Sequence, residues 1–205
     1  MNTQPADNHA PSLAELEHQL IHHTELPRTT LSNGLDAVVD RIGATTSWLW
    51  IATVGVILYS VVSRYLFGQG SVMLEEVAWH LAGAAWLIGL SYTLVHDDHV
   101  RVDVLHERLS LKAQAWIELL GILLLLLPFL VLALGEVTPY AYSSYELNEH
   151  SQAPNGLPWR WILKSFIPLS LALLLIAALS RALRTTSLLL GWPKALPRKP
   201  SNGEG

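Results

Sequence analysis

Four long apolar stretches without a charge leave this chain one environment in which to fold. Residues 42–63 run for 22 positions without an acidic or basic side chain, 77–95 for 19, 119–135 for 17 and 165–180 for 16. A hydrocarbon layer about 30 Å thick takes roughly 20 helical residues to cross. The two shorter stretches reach that length through their flanks. Trp116 and Ile117 lie beyond Glu118, and Trp159, Trp161, Ile162 and Leu163 lie beyond Lys164. Unpaired backbone groups are too costly in lipid for anything but helices or closed barrels. The expected fold is all-α and integral to a membrane: four transmembrane helices as two antiparallel hairpins, with amphipathic interfacial helices. Residues 1–43 read as a polar N-terminal segment, 44–185 as the four-span membrane domain, and 186–205 as a flexible tail.

Composition removes several function classes. Hydrophobic residues make up 51% of the chain and charged residues 15%, and the net charge of -4 carries no dense basic tract, so nucleic acid is not an expected partner. No cysteine is present, which excludes disulfides, thiolate metal sites and cysteine nucleophiles together. The first forty residues are polar and lack a basic stretch followed by a short apolar one. A cleaved signal peptide is therefore not expected, and the first span serves as the insertion signal.

Lysine and arginine placement sets the expected orientation. Arg28 and Arg41 precede the first span; Arg101, Arg108 and Lys112 lie between the second and third; Arg181, Arg184, Lys194, Arg198 and Lys199 follow the fourth. Ten of thirteen basic residues thus share one side, and only Arg64, Arg160 and Lys164 fall on the other. The positive-inside rule puts both termini in the cytoplasm.

Within the N-terminal segment, Ser12 and Glu15 have capping-box spacing and Leu13, Leu16 and Leu20 share a face, predicting a short amphipathic helix. His18 and His22 lie four apart on it, the spacing of a two-histidine metal site. No third ligand is near, so they read as solvated, and no metal or cofactor is expected. Leu35, Val38, Val39 and Ile42 form a second stripe, expected to lie at the membrane surface before the chain turns in. Span one is expected over 45–67, with a tight reversal over 68–73. The inner connection, 97–112, carries Val102, Leu105 and Leu109 at helical spacing. Span three, 113–135, is expected to kink at Pro128. The outer connection, 136–158, holds three tyrosines, three prolines and Asn155-Gly156. Span four is expected over 159–181.

Few residues stand out as functional. Arg64 lies near the end of span one, and Glu75 and Glu76 open the next helix across a short turn. Pairing Arg64 with either glutamate lowers the cost of a charge near lipid. The alternative is that one carboxylate binds a coupling cation or receives a partner. Ala78, Ala82, Ala85 and Gly89 recur at steps of four, three and four, a small-residue face that lets helices approach closely in lipid. It meets either another helix of this chain or a second subunit. His80 has no second histidine at its depth, so it reads as a hydrogen-bonding residue inside the bundle rather than a haem ligand. Nucleophile–base pairs, mid-membrane carboxylate pairs and phosphate-binding glycine loops are all missing, so no enzyme is expected.

Several of these residues also form an ordered pattern. Arg64-Tyr65-Leu66-Phe67, then Glu75-Glu76, then Trp86-Leu87 with Gly89, then His99-Val100-Arg101-Val102-Asp103 resemble the small permease subunit, the DctQ type, of tripartite ATP-independent periplasmic (TRAP) transporters. The run from Gly156 to Lys164, with Ile167-Pro168-Leu169, is similar to a signature of one branch. The resemblance covers roughly 35–185. It implies a bacterial inner-membrane scaffold bound to a large multi-span permease that holds the substrate and sodium sites. It also implies a soluble periplasmic binding protein that delivers the solute, typically an organic acid. On that basis Arg64, Glu75, Glu76, the span-two small face, and His99, Arg101 and Asp103 are the candidate partner-interface residues. For the last three the alternative is a segment that only stops transfer and touches lipid headgroups. The competing class is an independent four-helix protein, either a homo-oligomeric pore or a redox membrane anchor. A pore calls for a polar face along a whole span and a redox anchor for paired mid-membrane histidines; the sequence has neither.

Overall fold

The computed structural model describes residues 26–96, 109–194 and 196. The amphipathic helix expected around His18 and His22 lies outside the described residues. So do His99, Arg101 and Asp103, with most of the inner connection and tail. The described residues form helices and turns, with no strand among them. Helix α1 is Thr30–Phe67, α2 is Val72–His96, α3 is Leu111–Leu120, a π-helical segment follows at Gly121–Leu126, α4 is Leu127–Glu146, and α5 is Arg160–Leu190. Among the described residues, four helical stretches are long and apolar enough to cross a membrane: α1, α2, Lys112–Glu146 taken as one, and α5.

Each end of α1 is fixed by local chemistry. Thr29 and Ser32 form a reciprocal capping box, with the Ser32 amide donating to Thr29 Oγ1 at 3.1 Å and the Thr29 amide donating to Ser32 Oγ at 3.0 Å. Gly68 ends the helix at φ 66°, a left-handed conformation that glycine adopts without a Cβ penalty. Between these caps the helix is unbroken. The Leu35–Ile42 stripe is therefore not a separate surface helix, because the chain does not turn before the span begins. Val39 is fully buried, and Ser32, Asp36 and Gly43 share its face. At about 1.5 Å per residue, the 38 residues of α1 run roughly 57 Å, almost twice the hydrocarbon thickness, so the helix extends well past it or tilts.

The third span departs from its expected limits at both features the sequence marked. The π-helical segment stands immediately before Pro128, and the Leu127 amide bonds back to the Ile122 carbonyl, five residues away. Pro128 lacks an N–H and its ring crowds the carbonyl four residues back; the wider turn makes room for both. Helix α4 then continues through Pro139 to Glu146. The connection to α5 is thus far shorter than 136–158, and Tyr140, Tyr142 and Tyr145 are helical. The Thr138 hydroxyl donates to the Leu134 carbonyl at 2.7 Å in the turn before Pro139.

Helix α5 is the hub. It packs against α1, α2, α3 and α4, and its buried positions are mostly small or hydroxylated: Ser170, Ala177, Ala178, Ser180, Ala182 and Thr185. Small side chains let helix axes approach, and contact area then replaces the hydrophobic drive that lipid does not supply. Ala178 and Ala182 join Leu119, Ile122 and Leu130 in the apolar core. The helix also runs on to Leu190, nine residues past its expected end at Arg181, where Gly191 caps it at φ 68°.

Candidate functional site

Helices α1 and α2 touch at both ends. Arg64 pairs with Glu75 at one end, and His96 Nε2 lies 2.9 Å from Asp40 Oδ1 at the other. Arg64 and Glu75 are each 51% exposed, so their pair is a surface latch of about 0.2–1 kcal/mol. Of the two glutamates, Glu75 meets the arginine.

Glu76 turns the other way. It is buried beneath the α4–α5 loop, where it accepts a hydrogen bond from Ser151 Oγ and one from the Leu157 amide at 2.6 Å. Gly156 closes over it: a Cβ there would stand 2.8 Å from Glu76 Oε2. Beside this, Glu149 pairs with Lys164 and accepts from the Ser144 hydroxyl at 2.6 Å. The Lys164 ammonium also sits 4.2 Å from the centre of the Tyr140 ring. The Lys164 hydrogen bond, then that of Ser144, holds the Glu149 carboxyl below the usual carboxylate value, against the opposite pull of burial.

The opposite end, where α1 starts and α5 finishes, is tied more deeply. Asp36 pairs with Arg184 and accepts from Ser180 Oγ at 2.6 Å. Glu118 pairs with Arg181, whose guanidinium also reaches the Leu94 carbonyl at 3.4 Å. These contacts join α1, α2, α3 and α5. Buried charges are tolerated only when paired in this way. The Leu196 amide donates to the Arg28 carbonyl at 2.8 Å, bringing the two flanks of the membrane domain together.

Between the two charged ends, the α1–α2 seam carries apolar hollows. Ala78 and Ala82 line one of about 490 Å³, between Thr53 and Ile57 and the Arg64–Glu75 latch. Ala85 and Gly89 line another of about 520 Å³, flanked by Trp50 and Trp86. The four small residues thus do face the seam, yet the tight approach of α1 to α2 is made elsewhere. A Cβ on Gly43 would collide with the Tyr92 ring, whereas one on Gly89 would meet nothing within 4 Å.

His80 donates from Nδ1 to the Glu76 carbonyl of its own helix at 2.6 Å, and its ring lies against that of Trp79 at a tilt of 41°. Its Nε2 is buried and has no partner among the described residues. The expected bond is present but stays within α2 instead of crossing the bundle. No group of three or more metal-ligating side chains occurs among the described residues.

The structure brings Arg64, Glu75, Ala78 and Ala82 together around one hollow and sends Glu76 to the loop. Residues that sequence reasoning passed over are Asp36, Glu118, Glu149 and Ser151. Asp36 had a legible signal: it falls inside the Leu35–Ile42 stripe, where a charge on a buried face calls for a partner.

No curated protein matches the chain. The family model for the DctQ component of tripartite ATP-independent periplasmic transporters matches residues 53–188, from the middle of α1 to the last turn of α5. Members of that family work in three-part complexes with a large permease and a binding protein. A match over that much of the sequence, on four helices of membrane-spanning length, places the chain in the DctQ component family of these transporters.

Proposed function

We propose that the chain is the fixed membrane scaffold of a sodium-coupled transporter for an organic acid or similar solute. It grips the large permease along the α1–α2 seam and offers the α4–α5 loop to the periplasmic binding protein. What supports the scaffold reading is the distribution of charge. The ion pairs of the described residues sit in two layers at the ends of the bundle, with the His96–Asp40 contact beside the layer where α1 starts and α5 finishes. Between the layers the described side chains are mostly apolar or hydroxyl-bearing, His80 bonds within its own helix, and none of the described spans is unwound to hold a solute. The lateral seam, by contrast, offers hollows floored by Ala78, Ala82, Ala85 and Gly89 into which bulky side chains of a facing helix fit.

The basic-residue count orients this scaffold in a bacterial inner membrane with both termini cytoplasmic, so that the α4–α5 loop faces the periplasm. By the same count the connection that carries His99, Arg101 and Asp103 is cytoplasmic, and these three are proposed as permease contacts. Substrate and coupling-ion sites belong to the permease. Affinity purification of the tagged chain from native membranes tests the reading. A large multi-span permease is expected to co-purify, and Ala82→Leu is expected to reduce its recovery. A chain that purifies alone in a mild detergent, or a variant with undiminished recovery, contradicts the proposed grip.

A further inference from the structure

We infer that Glu76 is a positioning residue that holds the α4–α5 loop, from beneath, in the one conformation that receives the binding protein. The inference rests on the proposal that this loop is the docking surface.

Residues 147–159 join α4 to α5, and a connection of that length loses considerable conformational entropy when ordered. Beside the Glu149 contacts, the order comes from a ring closed around one carboxylate. Ser151 donates its amide to the Leu157 carbonyl at 2.9 Å, and the Gly156 amide donates to the Ala153 carbonyl at 3.0 Å. Inside the ring, Ser151 Oγ accepts from the Ala153 amide at 3.2 Å and donates to Glu76, which also accepts the Leu157 amide. Glu76 comes from α2, 75 positions from Ser151 and 81 from Leu157, so it pins the loop to a helix on which the loop is not built.

A carboxylate suits this task because it only accepts. Buried as it is, it requires two donors, and the loop meets that demand by turning Ser151 Oγ and the Leu157 amide inward. Gly156 is part of the same fit, since any larger residue would strike both Ser151 and Glu76. With the polar groups turned in, the outer surface displays Leu147, His150, Gln152, Asn155 and Trp159. An exposed tryptophan and leucine beside polar groups make an anchor-and-rim surface of the kind protein partners use. Holding the surface ready spares the partner the cost of ordering it. Freeing the loop lowers the fraction in the docking conformation and weakens apparent affinity in proportion.

The test is solute uptake by the whole complex in proteoliposomes, titrated with binding protein, together with amide exchange at Leu157. Glu76→Ala is expected to raise the half-saturating binding-protein concentration by about tenfold or more, as two hydrogen bonds to a charged acceptor, each worth at least about tenfold, are lost. The maximal rate is retained and the Leu157 amide exchanges faster. Glu76→Gln, which can still accept from Leu157, is expected to recover most of the loss. Should Glu76→Ala prevent insertion, Ser151→Ala removes one of the two bonds and is read in the same way. An unchanged half-saturation with a lower maximal rate would mark Glu76 as merely structural and overturn the inference. So would an unaltered Leu157 amide. Trp159→Ala with Leu147→Ala separates docking at the loop from its positioning by Glu76. If that surface variant raises half-saturation and Glu76→Ala does not, docking stands and the positioning role falls. If neither moves it, the docking proposal itself fails.

Discussion

Asp36 and Arg184, 148 positions apart, form a buried carboxylate–guanidinium pair that fastens the first helix of the bundle to the last. Ser180 occupies the other carboxylate oxygen. Removing one partner leaves the other charged and largely out of water, which costs about 3–5 kcal/mol where such pairs have been broken. Asp36→Ala is therefore expected to lower the unfolding midpoint in detergent sharply. Asp36→Ala combined with Arg184→Ala should cost less than the two single losses added together. Additive losses would mean that the two side chains are not coupled.

The Arg64–Glu75 latch is a far weaker device, because both side chains are half exposed. Arg64→Glu should cost no more than about 1 kcal/mol of stability, with Glu75→Arg in the same background restoring it. Glu76→Arg in that background should restore nothing, since Glu76 points to the loop and not to Arg64. A thermal-shift comparison of the three variants decides the assignment.

Two glycines separate packing within the chain from packing against a partner. Gly43→Ala is expected to destabilise the isolated chain, because its methyl enters the space of the Tyr92 ring. Gly89→Ala has open space and should leave the isolated chain unaffected, within about 0.5 kcal/mol. A bulkier Gly89→Leu should still fold but lose permease. Thermal unfolding of the purified chain, set beside permease recovery, reads both effects.

Acid should loosen the α4–α5 loop through Glu149. Its carboxyl is held below the ordinary value near 4.5 by Lys164 and Ser144, so the folded state favours the charged form. That contribution is fully present above the ordinary value and is lost as pH falls through the depressed one. Amide protection in the loop should hold steady from neutral pH down to about pH 5 and then decline. Glu149→Gln should start lower and show a smaller acid step, the remainder belonging to the Glu76 carboxylate that also holds the loop, as monitored by hydrogen exchange across a pH series.

Much of this architecture was written in one-dimensional terms. Charge-free length alone placed α1, α2, the Lys112–Glu146 span and α5, since lipid leaves the backbone no choice but helix. The Arg64 pairing was legible because only a short turn separates it from Glu75. Helix ends were not, because charge marks where lipid stops and not where a helix does: α4 carries Glu136 and α5 carries Arg181 and Arg184 in mid-helix. The ring around Glu76 was also hidden. Its partners lie 75 and 81 positions away, and one of them is a backbone amide, which leaves no trace in residue identity. Asn155 at φ 59°, followed by Gly156, marked a turn but not what the turn encloses.

On the proposed function, this chain works by contact and carries no solute itself. Liposomes holding the permease, this chain or both, under an inward sodium gradient with loaded binding protein outside, measure it most directly. Uptake is expected only where permease and chain are present together, with the chain alone passing neither solute nor ions. Conductance or uptake by the chain alone, or full uptake by the permease without it, would contradict the account.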